Sequence, residues 1–192
     1  MSGKAQFDEA SVIGAAVSVF WRQGYAAASI SDLTEATGLS RSSLYQRFGD
    51  KDGLFREALA TYTQRVLDRM NTAKAETARG TLEAILRGFL PDASKSRPPG
   101  CLIARSCVEK DELTSAGQTA ALSAAARQRD IFASLLRRGI ADGELKPDAD
   151  VDALAWYYLG VLQAALNFPH AGADSETLHH MIDAAMTVWP VK

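Results

Sequence analysis

The sequence predicts an all-α fold. Apolar residues recur at helical spacing from one end of the chain to the other, and neither alternating β-branched runs nor an Asn-Gly hairpin turn occurs. Breaks at Gly24, at Gly38 and over residues 91–100 and 143–148 divide that periodicity into segments of helical length. The pattern separates into a three-helix N-terminal domain over residues 1–50 and a larger helical domain over residues 51–192.

A first helix is expected over residues 8–22, with Val12, Ala15, Ala16, Val19 and Phe20 on one face and Gly24 ending it as a C-terminal glycine cap. Ser29 or Ser31 can cap a second, short helix whose buried side is Ile30, Leu33 and Ala36. After Gly38, Ser40 opens a third over residues 41–47. The fourth begins near Lys51 and is long, its apolar positions being Leu54, Ala58, Leu59, Tyr62, Val66 and Met70. A fifth covers residues 81–90, and a short apolar helix covers 101–109. The next, over 115–139, carries Leu122, Ala126, Ile131, Leu135 and Leu136. Two last helices follow over 150–168 and 175–189.

Composition narrows the function. The 192 residues are 47% hydrophobic and 23% charged, with 6 prolines and 14 glycines, so a packed globular chain is expected rather than a disordered one. No apolar run reaches the ~18 residues of a membrane span, and residues 1–6 lack a signal-peptide core, which points to a soluble cytoplasmic protein. Cys101 and Cys107 lie six residues apart on an expected helix. That spacing means ~9 Å of rise, too far for a disulfide within the chain. The net charge of −2 argues against a general polyanion binder. Within residues 1–52, five cations even face six carboxylates, so any nucleic-acid contact must come from placement: Arg41, Arg47 and Lys51 fall close together.

Residues 29–48 carry the informative pattern. Two short amphipathic helices are joined by Thr37-Gly38-Leu39-Ser40, the glycine permitting the sharp turn of a helix-turn-helix. Ile30, Leu33, Leu39, Leu44 and Phe48 are spaced to pack the helices together, which leaves Arg41, Ser42, Ser43, Tyr45, Gln46 and Arg47 outward. Arg41 and Gln46 can form paired hydrogen bonds to guanine or adenine edges, and Ser42 and Ser43 are small enough to bring the backbone close. Tyr45, Arg47 and Lys51 suit phosphates. Ser29 and Ser31 stand at a helix N-terminus, whose N–H groups favour a phosphate.

At these residues the chain resembles the tetracycline-repressor (TetR) family of bacterial regulators. The stretch Thr37-Gly38-Leu39-Ser40-Arg41-Ser42-Ser43-Leu44-Tyr45-Gln46-Arg47-Phe48-Gly49-Asp50-Lys51 holds the family's spacing, with Leu54 completing it. The resemblance implies that Arg41, Ser42, Ser43, Tyr45 and Gln46 lie on the recognition helix and that Lys51 contacts the DNA backbone. Arg47 departs from the pattern, since the family more often has histidine there. The resemblance also implies a larger domain that binds a small molecule and dimerises through its last two helices. Hence the expected function is a ligand-responsive, homodimeric repressor of a near-palindromic double-stranded DNA operator, not an enzyme.

Other residues admit two readings each. The stripe Leu178, Met181, Ile182, Ala185, Met186 and Trp189 is either core or dimer contact; the dimer is favoured because a two-fold operator calls for paired recognition helices ~34 Å apart. Cys101 and Cys107 are either small buried hydrophobes or sensing thiols, with Arg105 and Lys110 available to favour a thiolate. Trp156 and Tyr157 are candidates to line an effector cavity. His170, His179 and His180 have no spacing that pairs them with the cysteines, so neither a metal nor a cofactor is expected. Two rival functions, a helical cysteine-nucleophile enzyme and a dimeric ligand-binding module without DNA contact, lack a Cys–His arrangement and leave the residue 37–51 pattern unexplained, respectively.

Overall fold

A computed structural model describes residues 8–91, 98 and 100–190. Residues 1–6 and most of the 91–100 break lie outside that set. Nine α-helices occur among the described residues: α1 (Glu9–Ala27), α2 (Ile30–Thr37), α3 (Arg41–Phe48), α4 (Lys51–Thr72), α5 (Ala78–Gly88), α6 (Leu102–Val108), α7 (Ser115–Ala141), α8 (Val151–Asn167) and α9 (Ser175–Met186). They fall into two compact units, Met1–Arg65 with Leu102–Ala124, and Val66–Cys101 with Ala125–Lys192. The unit that holds α1 to α3 therefore extends past residue 50 and takes in α6, and both α4 and α7 contribute to each unit.

In the first unit, Ala16, Phe20, Leu33, Leu44, Leu54, Phe55 and Leu59 are buried. At about 1.5–3 kcal/mol for each large apolar side chain, this burial supplies most of what holds α1 to α4 together. Phe55 meets Phe20 and Tyr25 edge-on, with ring centroids 5.2 and 4.9 Å apart. The break expected at Gly24 is present as a kink: its φ of 84° and ψ of 179° interrupt α1, and Tyr25, Ala26 and Ala27 form a further turn beyond it. A glycine serves there because that backbone region is nearly closed to residues with a Cβ.

The kink exposes four backbone groups of α1, and α6 takes them up. The Glu109 carboxylate, just past α6, accepts from the Tyr25 N–H at 2.6 Å and the Ala26 N–H at 3.3 Å. Arg105 donates to the carbonyls of Arg22 at 3.1 Å and Gln23 at 2.7 Å, and its Nε bonds Glu109 at 3.0 Å. Arg105 and Glu109 thus fasten α6 to the end of α1.

In the second unit α5, α8 and α9 pack on one another. Glu144 accepts from the first N–H groups of α5, Ala78 at 2.7 Å and Arg79 at 3.0 Å, so a carboxylate meets the positive end of that helix. Tyr158 is fully buried beside Trp189, and burial pushes its hydroxyl up to about 12.

One expectation needs correction here. Leu178, Ile182, Ala185, Met186 and Trp189 are at most 3% exposed in the single chain, and Met181 is half-buried. The stripe fills the chain's own core instead of offering a dimer surface; periodicity marks a covered face without saying what covers it. On α7 the buried face is Ala121, Ala124, Gln128, Phe132 and Leu136, whereas Leu122 is exposed and Ile131 and Leu135 are half-buried.

Candidate nucleic-acid interface

Helices α2 and α3 are eight residues each, too short to stand alone, so caps and packing hold them. Ser29 and Asp32 form a reciprocal capping box at the start of α2, and Gly38, with φ of 69°, ends it by donating its N–H to the Thr34 carbonyl. Ser40 opens α3 by accepting from the Ser43 N–H at 3.1 Å, and the Gly49 N–H closes on the Tyr45 carbonyl. Buried Leu44 and Phe48 anchor α3. Its other face presents Arg41, Ser42, Tyr45 and Gln46 to solvent, with Ser43 half-buried. The Arg41 guanidinium reaches the Tyr45 hydroxyl from Nη2 at 3.3 Å and lies 5.6 Å from the ring centroid, which pre-arranges the two side chains on one turn.

Ser42 and Ser43 each share a hydroxyl contact of 2.9 Å with Ser40, so the small residues at the start of α3 are held by its cap. Ser31 is exposed.

Three residues sit otherwise than expected. Arg47 is exposed but engaged: it pairs with Glu9 of α1 and Glu57 of α4 and lies over the Phe48 ring at 4.8 Å. The Glu9 hydrogen bond is the main reason its guanidinium is held above the usual value. It ties α3 to α1 and α4, and a phosphate contact would have to break two ion pairs. Ser29 bonds the Asp32 carboxylate through its hydroxyl at 2.6 Å, and that contact holds Asp32 below the usual range. A carboxylate therefore already occupies the first turn of α2 where a phosphate was expected. Lys51 is half-buried, with Nζ 4.5 Å over the Tyr25 ring and 3.5 Å from the Ala26 carbonyl, and burial lowers its pKa.

The effector candidates do not converge. Trp156 and Tyr157 are 53% and 38% exposed, turned to the surface of α8, with Arg129 5.7 Å from the Trp156 ring. Cys101 is buried, and the half-buried Cys107 directs its Sγ at the Ala121 carbonyl, 3.6 Å away. Arg105, expected to favour a thiolate, is committed to Glu109 and α1. His170, His179 and His180 are exposed, and no cluster of three metal-ligating side chains occurs among the described residues. Sequence reasoning missed the Arg105–Glu109 fastening. Its i,i+4 spacing was visible, but its target lies more than 80 residues away.

Comparison with known proteins places this arrangement. Residues 12–58 match the model for bacterial regulatory proteins of the tetR family, and residues 79–185 match that for the tetracyclin repressor-like C-terminal domain. The chain belongs to the TetR family. It is accordingly a DNA-binding transcriptional regulator, in a family of regulators and not of enzymes. This TetR-family chain is 29% identical to the HTH-type transcriptional repressor ComR of Escherichia coli, over 96% of its own length and 90% of that protein's. It is 27% identical to the repressor AcnR of Corynebacterium glutamicum, over 85% and 82% of the two chains. Among solved structures, a cysteine-substituted CifR complexed with a 26 bp double-stranded operator superposes with a TM-score of 0.83 at 32% identity, covering 98% of this chain and all of that one. No helix among the described residues is long and apolar enough to cross a membrane.

Proposed function

We propose that this TetR-family regulator is a cytoplasmic homodimeric repressor of a near-palindromic operator, released by a small molecule or by thiol modification. The observation that carries the reading is the row Arg41, Ser42, Tyr45 and Gln46, solvent-facing on a helix capped at both ends and anchored by Leu44 and Phe48. In a major groove, Arg41 and Gln46 read base edges, Ser42 and Ser43 allow close approach, and Tyr45 takes a phosphate. Ser31 and Lys51 border the same surface; Lys51 reaches a phosphate by swinging its Nζ off the Tyr25 ring, whereas Ser29 and Arg47 act in position-holding. The operator complex of CifR, at 32% identity, supports this reading.

A dimer is supported by what the core stripe leaves outside: Trp156 and Tyr157 on α8, Phe168 just past it and Val188 after α9 are 38–53% exposed. An effector that binds two conformations unequally would shift α4, which supplies residues to both units, and so separate the paired recognition helices. For thiol modification Cys107 is the accessible group, since Cys101 is only 4% exposed.

Fluorescence anisotropy on DNA from upstream of the chain's own coding sequence tests the proposal. At low salt the wild type should bind, and Arg41→Ala or Gln46→Ala should cost about 1–3 kcal/mol of discrimination at one base pair. No wild-type binding at low salt would favour the non-DNA module, and binding that neither substitution changes would refute base reading by Arg41 and Gln46.

A further inference from the structure

Within the second unit a cleft of about 600 Å³ opens between the last turns of α4, the first turns of α5 and the middle of α7. That volume lies inside the ~300–1,000 Å³ range of small-molecule sites. Its floor is apolar: Leu67, Met70 and Ile85 are buried, and Leu135 is half-buried beside them. Its rim carries Lys74, Arg127 and Arg138 against a single carboxylate, Asp130.

Asp130 does not balance Lys74 and Arg138. Its Oδ1 already accepts from Arg129, at 2.5 Å from Nη2 and 3.1 Å from Nε. Arg138 is fixed at the rim by donating to the Glu76 carbonyl at 2.8 Å and to Asp142 at 3.3 Å. Lys74 pairs with no carboxylate among the described residues. A greasy floor under a net-positive rim suits one ligand chemistry.

We propose that this cleft binds an amphipathic organic monoanion, its apolar chain or ring on Leu67, Met70 and Ile85 and its carboxylate or sulfonate between Lys74 and Arg138. A neutral amphiphile of the same length loses the charge-assisted hydrogen bonds, and a cationic one meets like charge. The proposal rests on the reading that the regulator answers to a small molecule. It assigns the effector to a cleft that Cys101, Cys107, Trp156 and Tyr157 do not line.

Calorimetric titration of the full chain with decanoate, decanol and decyltrimethylammonium tests it, in the wild type, Lys74→Glu and Ser134→Trp. Ser134 lines the cleft from α7 and is exposed, so a tryptophan there blocks the floor without disturbing the core. Saturable decanoate binding is expected, weakened about tenfold or more by Lys74→Glu and abolished by Ser134→Trp. Both variants should melt within about 2 °C of the wild type, as surface substitutions do. Weak decanol binding should not respond to Lys74→Glu. No decanoate binding to the wild type, equal binding by well-folded Lys74→Glu, or equal affinity for the cation overturns the assignment. An operator-anisotropy arm with the same probe separates the two claims. Decanoate that occupies the cleft and leaves the operator bound refutes the release reading for this ligand while the cleft assignment stands.

Discussion

Replacing Gly24 with alanine gives opposite signs for two pictures of α1. Were α1 straight through residue 24, alanine would stabilise the chain by about 1 kcal/mol through helix propensity. The observed backbone, φ 84° and ψ 179°, is a region nearly reserved for glycine, where a Cβ costs about 1–3 kcal/mol. That Cβ would also be driven into the Glu109 carboxylate and to within 2.6 Å of the Arg105 Nε. Displacing Glu109 frees the Tyr25 and Ala26 N–H groups, and losing one charge-assisted bond costs about 1.5 kcal/mol or more. Because Arg105 and Ala26 are partly open to water, only the lower end of that range is counted. The total is about 2.5–4.5 kcal/mol, which for a chain of this size lowers the Tm by roughly 5–18 °C. Thermal unfolding followed by circular dichroism measures it, with Glu109→Gln expected to cost less because the backbone strain is absent. A Gly24→Ala protein that melts at or above the wild-type temperature refutes the kink and the fastening built on it.

The remaining expectations concern single groups. Arg47→Ala should change the Tm little, since its partners are exposed, and leave the salt dependence of operator binding unchanged; a true phosphate contact would lower that slope by about one. Trp189→Ala should lose about 3–5 kcal/mol in urea unfolding regardless of protein concentration, whereas a dimer-contact residue would instead make sedimentation concentration-dependent. Asp32 is held below the usual range by Ser29, so its stabilising effect is present at neutral pH and vanishes as pH falls through its folded pKa. Asp32→Asn should therefore melt below the wild type at pH 7, and the gap should close in acid beneath the ordinary carboxylate range. A gap independent of pH contradicts the capping box.

Local signals were readable in this chain. Ser40 and Gly49 bound α3 as their capping chemistry requires, and the positions from Leu54 to Met70 on α4 are buried as their spacing implied. What escaped were matters of partner. Arg47 is followed in sequence by nothing that announces Glu9, 38 residues earlier, as its counterion. The α9 stripe, favoured from sequence as a dimer contact, packs on α5 and α8, because periodicity is the same for a core and for an interface. The cleft was invisible for a related reason: its floor and rim come from three helices separated by tens of residues.

The grip of Arg105 and Glu109 on the end of α1 bears on protein engineering. A chimaera that transplants only residues 1–50 onto a relative's scaffold would leave behind the side chains that saturate Arg22, Gln23, Tyr25 and Ala26. Retargeting this regulator to a new operator by module exchange thus calls for a discontinuous graft, in which the Leu102–Val108 helix and Glu109 travel with the reading head.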